Sequence, residues 1–146
     1  MQDHASRDIA ILLVEDDPDH ADLTRIALQT ARVPFKLDIV TDGTEALEYL
    51  RHEGAFAQAR TPDLILLDLN LPKLDGREVL KVIKSDADLR RIPVIVLTTS
   101  SDIADIEIAY QNHANSYITK PTDFDDFLHA IETMHEYWLS VVRLPM

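Results

Sequence analysis

The chain has 146 residues, 27% of them charged and 46% hydrophobic, with no cysteine and 26 acidic against 14 basic side chains, a formal charge of -12. That length suits one domain with a core of ordinary size, and the missing cysteine excludes disulfide scaffolds, thiolate metal sites and thiol catalysis. The excess of acid argues against a nucleic-acid partner, which needs a clustered basic face, and against an anionic membrane surface. Residues 1–8 read as a polar tail of mixed charge rather than a secretory signal. No apolar run approaches the roughly 20 residues of a membrane span, so a soluble cytoplasmic domain is expected.

Short apolar runs alternate with helical patterns along the chain. Ile9 to Val14 is apolar throughout and stops at Glu15-Asp16-Asp17, which suits a strand covered on both faces. Pro18 follows where a first helical turn begins, with Asp17 as its cap, and Leu23, Ile26, Ala27 and Thr30 recur behind it at helical spacing. Phe35 to Val40 reads as a second strand, and Asp42-Gly43 opens a helix carrying Ala46, Leu47 and Leu50. Arg51 to Pro62 reads as a loop, long for a compact connection. Leu64 to Leu67 is the third strand, ending at Asp68; Asn70-Leu71-Pro72 turns the chain, and Asp75 with Glu78 resembles a capping box. Val79, Leu80, Val82 and Ile83 supply the buried side of a third helix.

Val94 to Leu97 forms a fourth strand ending at Thr98, and Ile103, Ile106, Ala109 and Tyr110 mark a fourth helix. Ser116 to Thr119 is a short fifth strand, closed by Lys120-Pro121, and a last helix starts near Thr122. Five strand-helix units in succession demand right-handed crossovers. The expected fold is therefore α/β, a doubly wound five-stranded parallel sheet, spanning residues 9–135 and followed by a helical extension over 136–146.

In such sheets ligands bind outside the carboxyl ends of the strands, and that is where the polar residues stand. Glu15, Asp16 and Asp17 follow the first strand, Asp68 the third, Thr98 ends the fourth and Lys120 follows the fifth. Two carboxylates about 4 Å apart repel by roughly 4 kcal/mol at an effective dielectric near 20, and one lysine cannot neutralise three. The cluster either protonates or binds a divalent cation. The available ligands are hard oxygens, which favours Mg²⁺, with Mn²⁺ as a substitute. A carboxylate, a bound Mg²⁺, a hydroxyl and a lysine together suit phosphoryl transfer.

The chain resembles a receiver domain of two-component response regulators over residues 8–135. The motifs that carry the resemblance are Val14-Glu15-Asp16-Asp17-Pro18, Leu67-Asp68-Leu69-Asn70-Leu71-Pro72 with Asp75-Gly76, Thr98, and Tyr117-Ile118-Thr119-Lys120-Pro121. The resemblance implies a flavodoxin-like fold with strand order 2-1-3-4-5. It implies Asp68 as phosphoacceptor, and Asp16 and Asp68 as Mg²⁺ ligands with the backbone carbonyl of Asn70 and, through water, Glu15. Thr98 and Lys120 would hold phosphoryl oxygens, and the Lys120-Pro121 peptide would be cis. Tyr117 would switch inward as Thr98 moves; Asn70, Thr99 and Ser100 would tune the lifetime of the phosphoryl group. The implied donor is the phosphohistidine of a sensor histidine kinase, and the responding surface is the fourth helix, fifth strand and final helix.

Simpler readings compete at several positions. Asp17 is first a helix cap, and Tyr117 is most simply a packing residue. The six histidines (His4, His20, His52, His113, His129 and His135) show no paired ligand spacing and read as surface or helix-flank residues. The last helical pattern runs on to Arg143; twenty-two residues would measure about 33 Å, against about 17 Å for a five-residue strand. The overshooting segment exposes Tyr137, Trp138, Leu139, Val141, Val142 and Leu144, an apolar set that suits a homodimer contact. This tail and the long loop also resemble small regulators paired with bacterial or cyanobacterial phytochrome kinases. Two other functions compete with this one. A phosphohydrolase of the haloacid dehalogenase type wants an Asp two places after the nucleophile, where Asn70 stands. A degenerate receiver acting only as an interaction module would not need the complete set of Asp68, acid pair, Thr98 and Lys120. A self-phosphorylating and self-dephosphorylating switch, with no separate substrate, is the preferred expectation. The acid that remains collects late, with eight carboxylates in residues 92–146 against Lys120 and Arg143.

Overall fold

The computed structural model describes residues 8–29, 34–99, 103–120 and 123–135. Five strands, β1 (Ile9–Val14), β2 (Phe35–Val40), β3 (Leu64–Leu67), β4 (Val94–Thr98) and β5 (Ser116–Thr119), alternate with five helices, α1 (Pro18–Leu28), α2 (Gly43–Leu50), α3 (Gly76–Ser85), α4 (Ile103–Gln111) and α5 (Phe124–His135). The sheet is parallel, as the alternation of strands and helices predicts, and its order β2-β1-β3-β4-β5 is the one the receiver resemblance implies. Every residue of β1, β3 and β4 is buried, because helices cover both faces of a central parallel strand. The outer strand β2 instead alternates, with Lys36 and Asp38 exposed between half-buried apolar residues. Charge on an edge strand discourages pairing with another chain.

Alternate residues of the central strands feed two separate cores, as the period of two requires. Leu12, Val14, Ile65, Leu67, Val94 and Val96 pack with α2, α3 and Ala109 of α4. Ile11, Leu13, Leu64, Leu66, Ile95 and Leu97 pack on the opposite face with Ala21, Ala27 and Leu28 of α1 and Phe127 of α5.

Caps are built from aspartates, whose short carboxylates reach orphan amides of a first turn. Asp17 accepts from the amides of Asp19 (2.9 Å) and His20 (3.3 Å), which makes it the cap the sequence predicts. Asp42 accepts from Glu45 N–H at 2.7 Å, while the Glu45 side chain takes the amide of Thr41. Asp75 caps α3 through the amide of Arg77 and also pairs with that guanidinium; Glu78, the expected capping-box partner, is exposed. The last helix begins at Phe124, where Asp123 accepts the amides of Asp125 and Asp126; Thr122 lies outside the described residues.

Three large apolar residues at helical spacing stay outside the core. Ile26, expected on the inner face of α1, is half exposed, and Ile103 and Tyr110 of α4 face water, leaving Ala109 as the buried residue of that helix. Helical spacing locates a stripe but not its covering; α4 packs through a small residue and leaves its larger ones outside. The segment from Arg51 to Pro62 is a pinned connection rather than a plain loop. It contains a 3-10 turn, Gly54–Phe56, whose Phe56 ring lies 5.3 Å from that of Tyr49. Arg60 donates to the carbonyl of Asp8 and to Asp63, whose carboxylate also takes the buried amide of Ala10 at 2.9 Å. Thr30, Ser100, Pro121 and residues 136–146 lie outside the described residues. The tail contact and the cis Lys120-Pro121 bond expected from the sequence therefore have no structural description.

Candidate functional site

Sheet register brings the polar residues together. Val14 pairs with Leu67, Leu67 with Val96, and Thr98 with Thr119. The next residues along β1 and β3 are thus Glu15 and Asp68, side by side at the carboxyl edge. Backbone bonds continue the ladder past the strand ends: Glu15 N–H to the carbonyl of Val40 (3.0 Å), and Asp68 N–H to that of Val14 (3.1 Å). The amide of Lys120 likewise donates to the carbonyl of Thr98. The carboxylates and the lysine are held by the sheet itself, not by loops.

The side chains converge as expected. Glu15, Asp16 and Asp68 each offer a carboxylate oxygen, and the three oxygens lie within 4.8 Å of one another. Glu15 and Asp68 are buried, whereas Asp16 is exposed and opens the cluster to solvent. Lys120, 3% exposed, pairs with Glu15 Oε1 and reaches Asp68 Oδ2 at 3.2 Å. The other oxygen of Asp68 accepts the amide of Asn70 at 3.1 Å, and the Asn70 side-chain amide reaches the Thr98 hydroxyl at 3.5 Å. Thr98 is fully buried and Thr99 is exposed, so the bulk of Thr99 points away from the packed interior. Tyr117 is half-buried against the core cluster shared with α2 and α3, as a packing residue would be.

Electrostatics set the site under tension. Burial pushes the Glu15 carboxyl up from 4.5 to about 7; the Lys120 ammonium opposes the rise and the Asp68 charge adds to it. One ammonium between two buried carboxylates leaves net negative charge, and Asp16 adds more. Backbone amides and the lysine hold Asp17 low, so it stays ionised as a cap. The donor set is all oxygen, three carboxylates with one face open to water, which suits a hard divalent cation that keeps part of its hydration shell.

His20 was missed by sequence reasoning. Its spacing suggests a surface or helix-flank residue, yet its Nδ1 lies 3.2 Å from Lys120 Nζ and its ring stacks on Phe127. The available signal was position: the third residue of a helix starting directly after the acid pair must sit beside the strand ends.

Known proteins agree with this geometry. Residues 11–132 match the response regulator receiver domain, and the chain belongs to that family. It is 42% identical over 145 residues to the response regulator Rcp1 of Synechocystis sp., covering 99% of each chain. Its fold superposes on the Mn(2+)-bound form of Rcp1 with a TM-score of 0.92 at 43% identity, covering 94% of this chain and 99% of the other. The phosphorylated cyanobacterial phytochrome response regulator RcpA matches with a TM-score of 0.93 at 48% identity, over 96% of this chain and all of the other. A probable methanogenesis regulatory protein, FilR2 of Methanothrix harundinacea, is 47% identical over 136 residues, 92% of this chain and 86% of that protein. The class is thus a receiver of two-component signalling. Among the described residues no helix is long and apolar enough to cross a membrane.

Proposed function

We propose that Asp68 is the phosphoacceptor of this receiver, charged by the phosphohistidine of a sensor histidine kinase and supported by Mg²⁺, with Mn²⁺ able to replace it. The observation that carries this reading is the setting of the Asp68 carboxylate. One oxygen is held by Asn70 N–H and the other by Lys120, with Asp16 and Glu15 alongside at an open strand end. In the transfer an oxygen of Asp68 attacks phosphorus, the bond from phosphorus to the donor nitrogen breaks, and its electron pair leaves with the imidazole. The cation, when bound, neutralises charge on the phosphoryl oxygens; Asp16, Asp68, the carbonyl of Asn70 and, through water, Glu15 would hold it. Lys120 and the Thr98 hydroxyl receive phosphoryl oxygens, Tyr117 follows Thr98, and α4, β5 and α5 form the surface that changes. Asn70, Thr99 and Ser100 set how readily water reaches the acyl phosphate, so the domain removes its own phosphoryl group.

Incubation with Mg²⁺ and acetyl phosphate tests this. Wild type should take up one acid-stable, base-labile phosphoryl group per chain, and Asp68→Asn none. Equal labelling of both would overturn the assignment, and repeated turnover of simple phosphate esters would favour a hydrolase instead.

Likeness to RcpA, a cyanobacterial phytochrome response regulator, supports a cytoplasmic phytochrome-type kinase as donor. The receiver is taken as residues 9–135 after the 1–8 tail. The 136–146 extension, through Tyr137, Trp138, Leu139, Val141, Val142 and Leu144, is taken as a homodimer contact. A chain ending at His135 should sediment as a monomer where the full chain sediments as a dimer; identical masses would refute that contact. The acid excess supports signalling by protein contact rather than through nucleic acid or membrane.

A further inference from the structure

We infer that His20 is a positioning residue that aims the Lys120 ammonium at the acceptor; the inference rests on the reading of Asp68 as phosphoacceptor. A lysine ammonium has three N–H donors and no acceptor. Two of them meet carboxylates, Glu15 Oε1 and Asp68 Oδ2. The third faces His20 Nδ1 at 3.2 Å, so the buried ammonium is fully subscribed, from β1, β3 and α1. Such a bond requires the lone pair on Nδ1 and the ring proton on Nε2. Asp17 Oδ2, at 3.7 Å from the same nitrogen, is too distant to compete for it.

The imidazole is itself held. Its backbone amide donates to the Asp17 cap, and its ring stacks on Phe127 with centroids 5.8 Å apart and planes 28° apart. Phe127, on α5, is 2% exposed and shares a core cluster with Ala21, Ala27 and Leu28 of α1. A four-carbon stem with four soft torsions gains direction only from what its head touches. Without the histidine, the ammonium keeps its two carboxylates, at the ends of β1 and β3, and loses its contact with α1. His20 supplies that third tether, and the ring of Phe127 ties it to α5. Catalytic groups displaced by about 1 Å lose up to a hundredfold in rate, so one lost anchor of three is expected to cost less than that.

Two variants of the full chain separate positioning from packing. His20→Asn places an amide oxygen near the position of Nδ1 but removes the ring from Phe127; His20→Leu keeps an apolar contact with Phe127 and removes the acceptor. With Mg²⁺ and acetyl phosphate, His20→Leu should label at Asp68 about tenfold more slowly than wild type, and His20→Asn within about twofold. The ¹⁵N-edited NMR signal of the Lys120 ammonium, read without added metal, should be slow to exchange with water in wild type and His20→Asn and fast in His20→Leu. A purely structural role predicts the reverse order, with His20→Asn the damaged variant. That result, or a Lys120 signal and labelling rate unchanged in His20→Leu, would overturn the inference. Failure of the phosphoacceptor reading shows separately, as wild type that takes no label at Asp68, and the ammonium signal then decides the role of His20 by itself.

Discussion

Lys120→Met is expected to destabilise the metal-free protein by about 3–5 kcal/mol at pH 8, the usual consequence of removing one partner from a buried ion pair. Methionine preserves the length and apolar stem of the lysine, so packing is nearly retained and the loss is that of the charge. Lys120 is 3% exposed and touches both Glu15 and Asp68; without it two carboxylates at 1% and 7% exposure repel each other with no cation between them. The pH dependence has a definite sign. Glu15 carries a carboxyl raised from 4.5 to about 7 by burial first, with Lys120 opposing. A raised carboxyl is stabilised by the fold in its protonated form. That contribution is complete below about 4.5 and is lost as pH rises through about 7. Removing the lysine removes the opposing influence, so the penalty of Lys120→Met should be small near pH 4.5 and grow steadily towards pH 8. Adding Mg²⁺ should recover part of it by supplying a replacement positive charge. Urea midpoints at several pH values, with and without Mg²⁺, measure all three. A penalty under about 1 kcal/mol at pH 8 would mean that water screens the pair as it does at a surface. Labelling by acetyl phosphate should fall sharply in the same variant, because the ammonium that meets the phosphoryl oxygens is gone.

Gly76→Ala should be strongly destabilising, because the added carbon would strike the backbone beside the acceptor. A Cβ at Gly76 would lie 2.2 Å from the carbonyl oxygen of Asp68 and 2.6 Å from Cα of Leu69. Both are backbone atoms that no rotamer change can move. The amide of Gly76 also donates to the carbonyl of Leu69 at 2.9 Å, so α3 begins pressed against the peptide that carries the acceptor. Alanine is the better helix former by about 1 kcal/mol, but overlap at these distances forces the start of α3 away. The expected net cost is about 3 kcal/mol or more, at the upper end of overpacking changes. Asp68 moves with its own carbonyl, so labelling should fall as well. Gly54→Ala serves as the control. There a Cβ meets nothing within 4 Å and the only objection is a φ of +57°, worth about 1–2 kcal/mol. A Gly76→Ala variant no less stable than Gly54→Ala would show that the start of α3 yields easily and that the close approach is not required.

These two expectations differ in how far the sequence anticipates them. Lys120 was legible because a lysine directly after a five-unit alternation of strands and helices must stand at the carboxyl edge of the sheet, where Glu15, Asp16 and Asp68 also end their strands. Gly76 entered only as part of a motif; nothing in its spacing tells which backbone it would strike. The exposure of Ile26, Ile103 and Tyr110 was illegible for a related reason: helical periodicity selects a face, but whether a neighbour covers that face depends on element lengths and crossing positions. Asp63 had no signal at all, since its partners Arg60 and Ala10 are brought to it by a loop and a strand start.

The sequence by itself determined the fold class, the strand order through the family motifs, and the chemical character of the site, because strand period and strand-end residues are local properties. The excess of acid, first a bar to nucleic acid, acquired a use in Glu15, Asp16 and Asp68 by the same local reasoning. Tertiary structure alone decided how the ammonium divides its three donors among Glu15, Asp68 and His20, which face of α4 stays in water, and why residue 76 must lack a side chain. Those outcomes depend on contacts between residues up to 105 positions apart, and the distance and direction of such contacts are set by packing, not by spacing along the chain.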